Sequence, residues 1–253
     1  MTPVLNAAVT AAGRLGPDAA ARYGTDIKAL VRIGGRTLLA TLVAALRGVP
    51  DIGRIVVVGP ASAYDFGGTV DTWIDERETG EDNVLAALRG AGGGRLVVCA
   101  SDLPFVTAHA VVDLVARTPP AADCGYPIFN RQEFAAAFPG GRSSFARLAD
   151  GEWTGGSVLV LNADLMLQKE KLLRRAFAAR KSLLALAALL GPALALRYAT
   201  GQIRVADVQA RIDALTGGSV VALRGADPAL AMDCDELEDF EYAQARLEGV
   251  TAT

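Results

Sequence analysis

The stretch Arg95-Leu96-Val97-Val98-Cys99-Ala100-Ser101-Asp102-Leu103-Pro104 is a short apolar run that leads directly into an acid. Such a run predicts a strand buried on both faces of a parallel sheet. Ligands of open parallel sheets bind beyond the carboxyl ends of the strands, so Asp102 is well placed for chemistry. A second acidic stretch, Ala231-Met232-Asp233-Cys234-Asp235-Glu236-Leu237-Glu238-Asp239-Phe240, lies at the start of a predicted helix. We expect the two stretches to share one Mg²⁺ ion.

Strand and helix patterns alternate through the first 120 residues. Residues 4–12 and 52–59 are predicted strands, and residues 37–47 and a segment from Asn83 are predicted helices. Parallel strands need crossovers, which are usually helical, so this alternation predicts an α/β fold. We expect a mostly parallel, Rossmann-like sheet with helices on both faces. Residues 122–162 consist of shorter segments, which favour a mixed-sheet region whose loops line a substrate pocket.

The chain length and composition predict one domain over residues 1–253. A chain of 253 residues that is 51% hydrophobic can bury a large core. Residues 163–215 are almost entirely helical in pattern and predict a lid or an interface within that domain. Residues 168–181 carry six basic residues against one acid. We expect a lid or interface here, with contact to an anionic membrane as the less favoured interpretation. A homo-oligomer is compatible with the interface interpretation.

Charge and cysteine usage exclude several classes of protein. The net charge of −3 does not indicate a nucleic-acid binder. Cys99, Cys124 and Cys234 are isolated, and one histidine, His109, is too little to complete a zinc site with them. We expect reduced, packed thiols in a cytoplasmic protein. The N-terminus lacks the pattern of a secretory signal, and the apolar run at residues 182–196 is too short to span a bilayer.

A loop of small residues follows the first predicted strand. Ala11-Ala12-Gly13-Arg14-Leu15-Gly16 would let backbone N–H groups approach a phosphate, and Lys28 downstream would neutralise its charge. The spacing matches neither a Walker A loop nor the GxGxxG fingerprint. A plain turn from strand to helix is the alternative interpretation of this loop.

The acidic residues are candidate ligands for a hard cation. Asp102 is either such a ligand or the cap of the next helix. Asp233 and Asp235 lie two positions apart, and we expect them to point to opposite sides so that only one faces the metal. The sequence does not indicate which one. The other, with Glu238 and Asp239, belongs to the N-terminal turn of a helix over residues 238–247, where negative charge is favoured.

Three further polar side chains are candidates for contacts with the substrates. Arg142 and Arg147 lie in the predicted pocket-lining region and would bind an acceptor phosphate, or they are solvated surface residues. Asn83 would contact the base or ribose of a nucleotide, or it caps a helix.

In order and spacing, these motifs resemble the MobA-like nucleotidyltransferase family, which has a glycosyltransferase-A-like fold. The resemblance rests on residues 11–13 (family pattern LAAGxxxRxG), residues 28–38 (KxLLpigGkpLl), residues 80–88, residues 101–105 (GDxPf), residues 155–157 and residues 233–240 (DxDTPEDL). It implies Mg²⁺-dependent transfer of a nucleoside monophosphate from an NTP to a phosphorylated small molecule or cofactor, with release of pyrophosphate.

The resemblance also implies roles for individual residues. The implied nucleotide-binding residues are Ala11, Ala12, Gly13, Gly16, Lys28, Gly80 and Asn83. The implied catalytic residues are Arg14, Lys28 and Asp102, the implied acceptor-binding residues are Arg142, Arg147 and Gly156, and the implied Mg²⁺ ligands are Asp102, Asp233 and Asp235.

Two other functions remain open at the level of the sequence. A nucleotide-sugar glycosyltransferase would use Asp102 and release no pyrophosphate. A non-catalytic nucleotide-binding or scaffold protein would keep the fold without turnover. The segment Pro17 to Thr25 resembles an insertion and displaces the family's usual arginine, so Arg14 or Arg22 would have to replace it. This insertion is the feature that favours the scaffold interpretation.

Overall fold

The structure is a computed structural model that describes residues 5–66, 69–179, 189 and 191–251. Its strands are β1 Leu5–Thr10, β2 Arg32–Ile33, β3 Arg36–Thr37, β4 Ile52–Gly59, β5 Thr72–Asp75, β6 Arg95–Ala100, β7 Cys124–Asn130, β8 Ala146–Leu148, β9 Gly151–Gly155, β10 Val158–Asn162 and β11 Val220–Leu223. Its helices are α1 Pro17–Tyr23, α2 Leu38–Arg47, α3 Gly80–Ala91, α4 Ala108–Arg117, α5 Arg131–Ala137, α6 Ala163–Gln168, α7 Glu170–Ala179, α8 Pro192–Ala199, α9 Val205–Thr216 and α10 Leu237–Thr251.

Nine of these strands form one large sheet. Its order is β5-β4-β1-β6-β10-β7-β9-β8, and β11 pairs with β7. The first four strands in this order, which are β5, β4, β1 and β6, are mutually parallel. Strand β10 runs antiparallel to both β6 and β7. The predicted α/β class with a mostly parallel sheet is confirmed. The mixed character expected for residues 122–162 is also confirmed, since β7, β8 and β9 pair in antiparallel fashion.

Both faces of the sheet are covered because the central strands contain continuous apolar runs, such as residues 55–58 of β4. In β4, Val57 packs into the cluster that contains Leu42 of α2 and Leu114 of α4. Its neighbour Val56 packs into the opposite cluster, which contains Leu88 of α3. Adjacent strand residues point to opposite faces, so a continuous apolar run requires helices on both sides.

The capping residues define where the helices begin. Thr37 caps α2 by accepting a hydrogen bond from the Ala40 N–H at 3.1 Å, which confirms the helix predicted over residues 37–47. Thr79 caps α3 in the same way. The interpretation of Asn83 as a helix cap is therefore wrong. Asn83 is buried in the first turns of α3 and bonds to the backbone of Arg77 instead.

The predicted helical region is helical but interrupted. The helical pattern over residues 165–190 is divided, because α6 ends at Gln168 and α7 begins at Glu170. Residues 180–188 and 190 of that run lie outside the described residues. The predicted break at Gly201 is confirmed, since this glycine has a φ of +67° between α8 and α9. Among the helices that the structure describes, none has the length and hydropathy needed to cross a membrane.

The basic side of α7 docks on α3. Arg174 lies 2.7 Å from Asp82 in the first turn of α3 and 2.8 Å from Glu170. Glu170 in turn lies 2.6 Å from Arg89 of α3. These ion pairs join α7 to α3, which covers one face of the sheet. At least one basic side chain of α7, Arg174, is thus paired with carboxylates of the protein.

The three cysteines are free thiols. Cys99 and Cys234 are buried and Cys124 is half-buried. Burial raises the pKa of all three, to about 12 for Cys124. Because the thiolate is the reactive form, these residues act as packed apolar side chains.

Candidate active site

The candidate site lies beyond the carboxyl ends of β1 and β6. The two parallel strands pair directly, and the Ser101 N–H donates to the Thr10 carbonyl at 3.1 Å where they end. The loops at residues 11–16 and 101–104 therefore leave the sheet side by side. The topology alone brings the glycine loop next to Asp102.

The glycine loop is built around Lys28. The Lys28 N–H donates to the Gly13 carbonyl at 3.0 Å. A Cβ atom on Gly13 would lie 3.2 Å from Lys28 Cδ, which is closer than ordinary side-chain contact. Gly13 thus leaves room for the aliphatic part of Lys28 to cross the loop, and the ammonium group reaches the acids beyond it.

Lys28 is the cation at the centre of the site. Its Nζ lies 3.6 Å from Asp102 Oδ2 and donates a short hydrogen bond to Asp235 Oδ1, and the side chain is only 11% exposed. Burial by itself lowers the pKa of Lys28, but the surrounding carboxylates outweigh burial and raise it. Lys28 is therefore fully protonated at neutral pH.

Asp102 carries a carboxylate oxygen without a partner. Its side chain is 16% exposed, and its buried Oδ1 has no hydrogen-bond partner among the described residues. Burial raises the pKa of Asp102 to about 6; the Lys28 charge opposes this shift, whereas Asp233 and Asp235 add to it. The interpretation of Asp102 as a helix cap is wrong, because Thr107 caps α4.

The second acidic stretch reaches the same site. The Cys234 N–H donates to the Asp102 carbonyl at 3.0 Å, which holds the two stretches together. Asp233 Oδ2 accepts a hydrogen bond from Ser157 Oγ at 2.7 Å, and Asp235 bonds to Lys28. The expectation that Asp233 and Asp235 point to opposite sides is wrong. Residues two apart in an extended segment share a face, and the intervening Cys234 points into the core.

Asp239 shapes this acidic loop. Its Oδ2 accepts hydrogen bonds from the N–H groups of Asp235 at 3.1 Å and Glu236 at 2.9 Å. Glu238 and Asp239 lie in the first turn of α10, as predicted. The bond from Asp239 to the loop was missed from sequence, and so was the bond from Ser157 to Asp233. The signal for Ser157 was its place directly after the Gly155-Gly156 pair.

The acids alone do not form a metal centre. In the parts of the chain that the structure describes, no three His, Cys, Asp or Glu side chains converge as a metal-binding group. Lys28 lies between Asp102 and Asp235 instead. A metal ion held here by two of these carboxylates would need further oxygen ligands. The predicted Mg²⁺ ion therefore stays a prediction.

The flanking candidates have supporting contacts. Arg14 lies 2.5 Å from Glu76 and donates to the Ala12 carbonyl at 2.9 Å, so it braces the glycine loop. Asn83 accepts from the Arg77 N–H at 2.6 Å and thereby holds the loop before α3. Gly80 is the first residue of α3, and Gly16 precedes α1 as its N-cap.

The expected acceptor residues are separated in the structure. A polar cavity of about 350 Å³ lies beside the acids and is lined by Arg142, Asp233 and Asp235, among others. Arg142 also pairs with Glu238 at 3.2 Å. Arg147 is 86% exposed, lies 3.0 Å from Glu152 and does not line this cavity. A Cβ atom on Gly156 would lie 2.7 Å from Pro127 Cγ, so Gly156 permits close packing there.

Comparisons with known proteins identify a family and similar structures for this chain. The MobA-like NTP transferase domain matches residues 7–156. A hypothetical transferase from Thermus thermophilus is 32% identical, with a TM-score of 0.83 over 95% of this chain and 100% of that chain. A comparison with curated protein sequences gave no significant match.

Two more distant structures share the fold. The 2-C-methyl-D-erythritol 4-phosphate cytidylyltransferase of Thermus thermophilus is 18% identical, with a TM-score of 0.54 over 98% of this chain and 100% of that chain. A CMP:2-keto-3-deoxy-manno-octonic acid synthetase is 14% identical, with a TM-score of 0.55 over 98% and 100% of the two chains.

The matched domain covers more than half of the chain and contains the glycine loop, Lys28 and Asp102. These residues are positioned by a mostly parallel sheet with helices on both faces, and the neighbours that share this fold are glycosyltransferase-A-like nucleotidyltransferases. The chain therefore belongs to the MobA-like NTP transferase family and is a nucleotidyltransferase.

Proposed function

We propose that this protein transfers a nucleoside monophosphate from an NTP to the phosphate of a small acceptor, with Mg²⁺ and with release of pyrophosphate. The observation that carries the proposal is the position of Lys28. Its stem crosses the glycine loop at Gly13, and its ammonium group meets Asp102 and Asp235. A phosphate bound over the glycine loop would meet this cation.

The residues present fit a Mg²⁺ ion that is shared with the nucleotide. Asp102 Oδ1 is a buried acceptor without a partner, and Asp233 lies close enough to raise the pKa of Asp102. Protein sites commonly hold Mg²⁺ through one or two carboxylates plus phosphate oxygens of the substrate. When bound there, the ion neutralises charge on the phosphates during transfer. We therefore assign Asp102 and Asp233 as its ligands, with Asp235 as the partner of Lys28.

The reaction requires positioning and charge neutralisation from the protein. An oxygen of the acceptor phosphate attacks the α-phosphorus of the NTP and forms a new P–O bond. The bond to the β-phosphate oxygen breaks, and pyrophosphate leaves with the electron pair. An ionised acceptor phosphate needs no general base. Lys28 balances the donor phosphates, and Arg142 in the polar cavity is placed to bind the acceptor phosphate.

The segment that resembles an insertion does not disrupt this arrangement. Residues 17–23 form α1, which begins directly after Gly16. Backbone hydrogen bonds from Lys28 to Gly13 and from Leu15 to Asp26 join the two ends of the segment that contains α1. The donor side is thus intact, which supports an active enzyme over a scaffold that has lost turnover.

A thermal-shift panel tests the proposal. ATP, CTP, GTP and UTP are each added with and without Mg²⁺, followed by assays of pyrophosphate release. Binding at one hundred times Kd adds about 2.7 kcal/mol to the free energy of unfolding. The expected result is a Mg²⁺-dependent shift with a preferred NTP. Lys28→Met should reduce this shift, whereas Lys171→Met, at an exposed position of α7, should not.

Other outcomes lead to other functions. A shift with nucleotide sugars and release of a nucleoside diphosphate would identify a glycosyltransferase. A shift with an NTP but no pyrophosphate release with any phosphorylated acceptor would favour a nucleotide-binding protein without turnover. The absence of any nucleotide-dependent shift would contradict the proposal.

A further inference from the structure

Ser157 lies at the junction between the strand that leads to Asp102 and the second acidic stretch. It comes directly before β10. The Ala100 N–H, two residues before Asp102, donates to the Ser157 carbonyl at 3.0 Å. The Ser157 N–H donates to the carbonyl of Leu230, three residues before Asp233, at 2.7 Å. The backbone of Ser157 is therefore fixed relative to both of the carboxylates that we assign to the ion.

Gly156 allows this close approach. A Cβ atom on Gly156 would lie 3.1 Å from the Leu230 carbonyl oxygen and 2.7 Å from Pro127 Cγ. The Gly156 N–H also donates to the Pro127 carbonyl at 2.9 Å. A side chain at position 156 would separate β10 from the acidic stretch. The glycine thus sets the distance at which the hydroxyl group of Ser157 meets Asp233.

The hydroxyl group of Ser157 occupies one oxygen of the Asp233 carboxylate. Ser157 Oγ donates to Asp233 Oδ2 at 2.7 Å, which leaves Oδ1 for another partner, and Asp233 lines the polar cavity. Asp102 has a similar division. Its Oδ2 faces Lys28, whereas its buried Oδ1 has no partner in the part of the chain that the structure describes. Each of the two acids thus has one oxygen engaged by the protein and one oxygen left.

We propose that Ser157 is a positioning residue, which holds Asp233 so that a single carboxylate oxygen is available to the Mg²⁺ ion. This inference rests on the proposed function, which supplies the ion. The three hydrogen bonds of Ser157 carry it, because they tie one hydroxyl group to the backbone of both ligand segments. Groups that hydrogen-bond to metal ligands orient them, and their loss weakens metal binding by about 10–100-fold.

The same restriction favours one ion over another. Mg²⁺ requires near-octahedral geometry at short distances, whereas Ca²⁺ is larger and also accepts carboxylates that bind through both oxygens. An Asp233 that is held at Oδ2 offers one oxygen only. Ser157 is therefore expected to favour Mg²⁺ over Ca²⁺, and its removal should narrow the difference between them.

Calorimetric titrations test the inference with three ligands: a non-hydrolysable NTP analogue without metal, its Mg²⁺ complex and its Ca²⁺ complex. Ser157→Val removes the hydroxyl group, and Ser157→Thr has nearly the same shape and keeps it. The affinity for the Mg²⁺ complex should fall about tenfold or more in Ser157→Val and stay close to the parent value in Ser157→Thr. The Ca²⁺ complex should lose less. Equal affinities of the two variants for the Mg²⁺ complex, or equal losses for the two ions, would overturn the inference.

The analogue without metal separates positioning from general damage to the fold. It should bind Ser157→Val and the parent protein equally, because the glycine loop and Lys28 are unchanged. An equal loss for all three ligands would show a merely structural role and overturn the inference. If a β-branched side chain prevents folding, Ser157→Ala gives the same comparison with the parent protein, since the backbone hydrogen bonds remain.

Ser219→Ala is the matched control. Ser219 also comes directly before a strand, β11, and its carbonyl accepts hydrogen bonds from the N–H groups of Asp123 and Cys124. Its side chain is exposed. This variant should bind all three ligands as the parent protein does.

A double variant tests whether Ser157 acts through Asp233. Asp233→Ala should by itself weaken binding of the Mg²⁺ complex. Adding Ser157→Val should cause no further loss, because the hydroxyl group then has no carboxylate to hold. A further loss of about tenfold would overturn the inference.

Failure of the proposed function gives a different result. The parent protein would then bind the analogue no better with Mg²⁺ than without it, which would overturn both the function and this inference. A parent protein with Mg²⁺-dependent binding, together with a Ser157→Val variant that binds equally well, would overturn the inference alone.

Discussion

At the residue scale, the site places the ammonium group of Lys28 among three carboxylates, so one positive charge faces three negative ones. Lys28 contacts Asp102 and Asp235 directly, and Asp233 is near enough to contribute to its raised pKa. The unpartnered oxygen of Asp102 marks the remaining place for positive charge. We therefore expect that removing an acid from this cluster weakens binding of the proposed Mg²⁺ ion more than it weakens the fold.

Asp102→Asn should abolish Mg²⁺-dependent binding of NTP. The amide keeps the shape of the carboxylate but supplies no negative charge to the ion. At pH 7 the thermal midpoint of the ligand-free variant should equal or exceed that of the parent protein, because the buried charge is removed. Calorimetric titration with Mg²⁺ and NTP measures the loss. The exposed Asp18→Asn serves as the control, and unchanged binding in Asp102→Asn would contradict the assignment.

The raised pKa of Asp102 predicts a pH dependence of stability. Its folded value of about 6 lies above the ordinary value of 3.8. The neutral form is therefore favoured in the folded state, and this contribution is complete below pH 3.8 and lost as the pH rises through 6. Without ligands, the free energy of unfolding should fall by up to about 3 kcal/mol over that window.

Urea unfolding at several pH values measures this dependence. The pKa of Asp233 is also raised, chiefly by burial, and it acts in the same direction. Asp102→Asn should therefore flatten the profile without removing it entirely. An identical slope in the variant and the parent protein would show that Asp102 is not the titrating group.

At the element scale, the first turn of α10 organises the acidic loop. Asp239 accepts hydrogen bonds from the backbone of Asp235 and Glu236, and it is buried. The same residue would complement the positive end of the helix. The acids are thus positioned by the start of α10 as well as by the sheet.

Asp239→Ala should lower the free energy of unfolding by about 1–2 kcal/mol, because the loop N–H groups lose their acceptor. The affinity for Mg²⁺ and NTP should fall as well, since Asp233 and Asp235 are no longer held in place. Chemical denaturation and calorimetry measure the two effects. Glu241→Ala, at an exposed position of the same helix, is the matched control. A loss of stability with full affinity would restrict Asp239 to a capping role.

At the scale of the whole molecule, the sheet separates two apolar layers that stabilise it together. Leu42 of α2 lies on one face and Leu88 of α3 on the other, and both are fully buried. Leu42→Ala and Leu88→Ala should each cost about 2–5 kcal/mol. Because the sheet lies between them, the double variant should lose the sum to within about 0.5 kcal/mol. Urea unfolding tests this, and a strong departure from additivity would indicate that the layers are coupled.

Most of the fold was predictable because it depends on local patterns. The strand at residues 52–59 and the helix at residues 37–47 carry their own apolar periodicity and cap. The division between α6 and α7 was not predictable, because residues 168–171 are all good helix formers and only the non-helical backbone angles of Lys169 end α6 there. The cap at Thr79 was missed in favour of Asn83, since both are good capping residues and only the chain path distinguishes them.

By itself, the sequence determined the α/β class, the acids that follow apolar strands and the glycine loop with its lysine, because these depend on periodicity and on neighbours along the chain. Only the tertiary structure decided which side chains meet. Lys28 and Asp235 are 207 positions apart, and their contact depends on the sheet order and on α10. The shared side of Asp233 and Asp235 and the separation of Arg147 from Arg142 likewise follow from packing between distant segments.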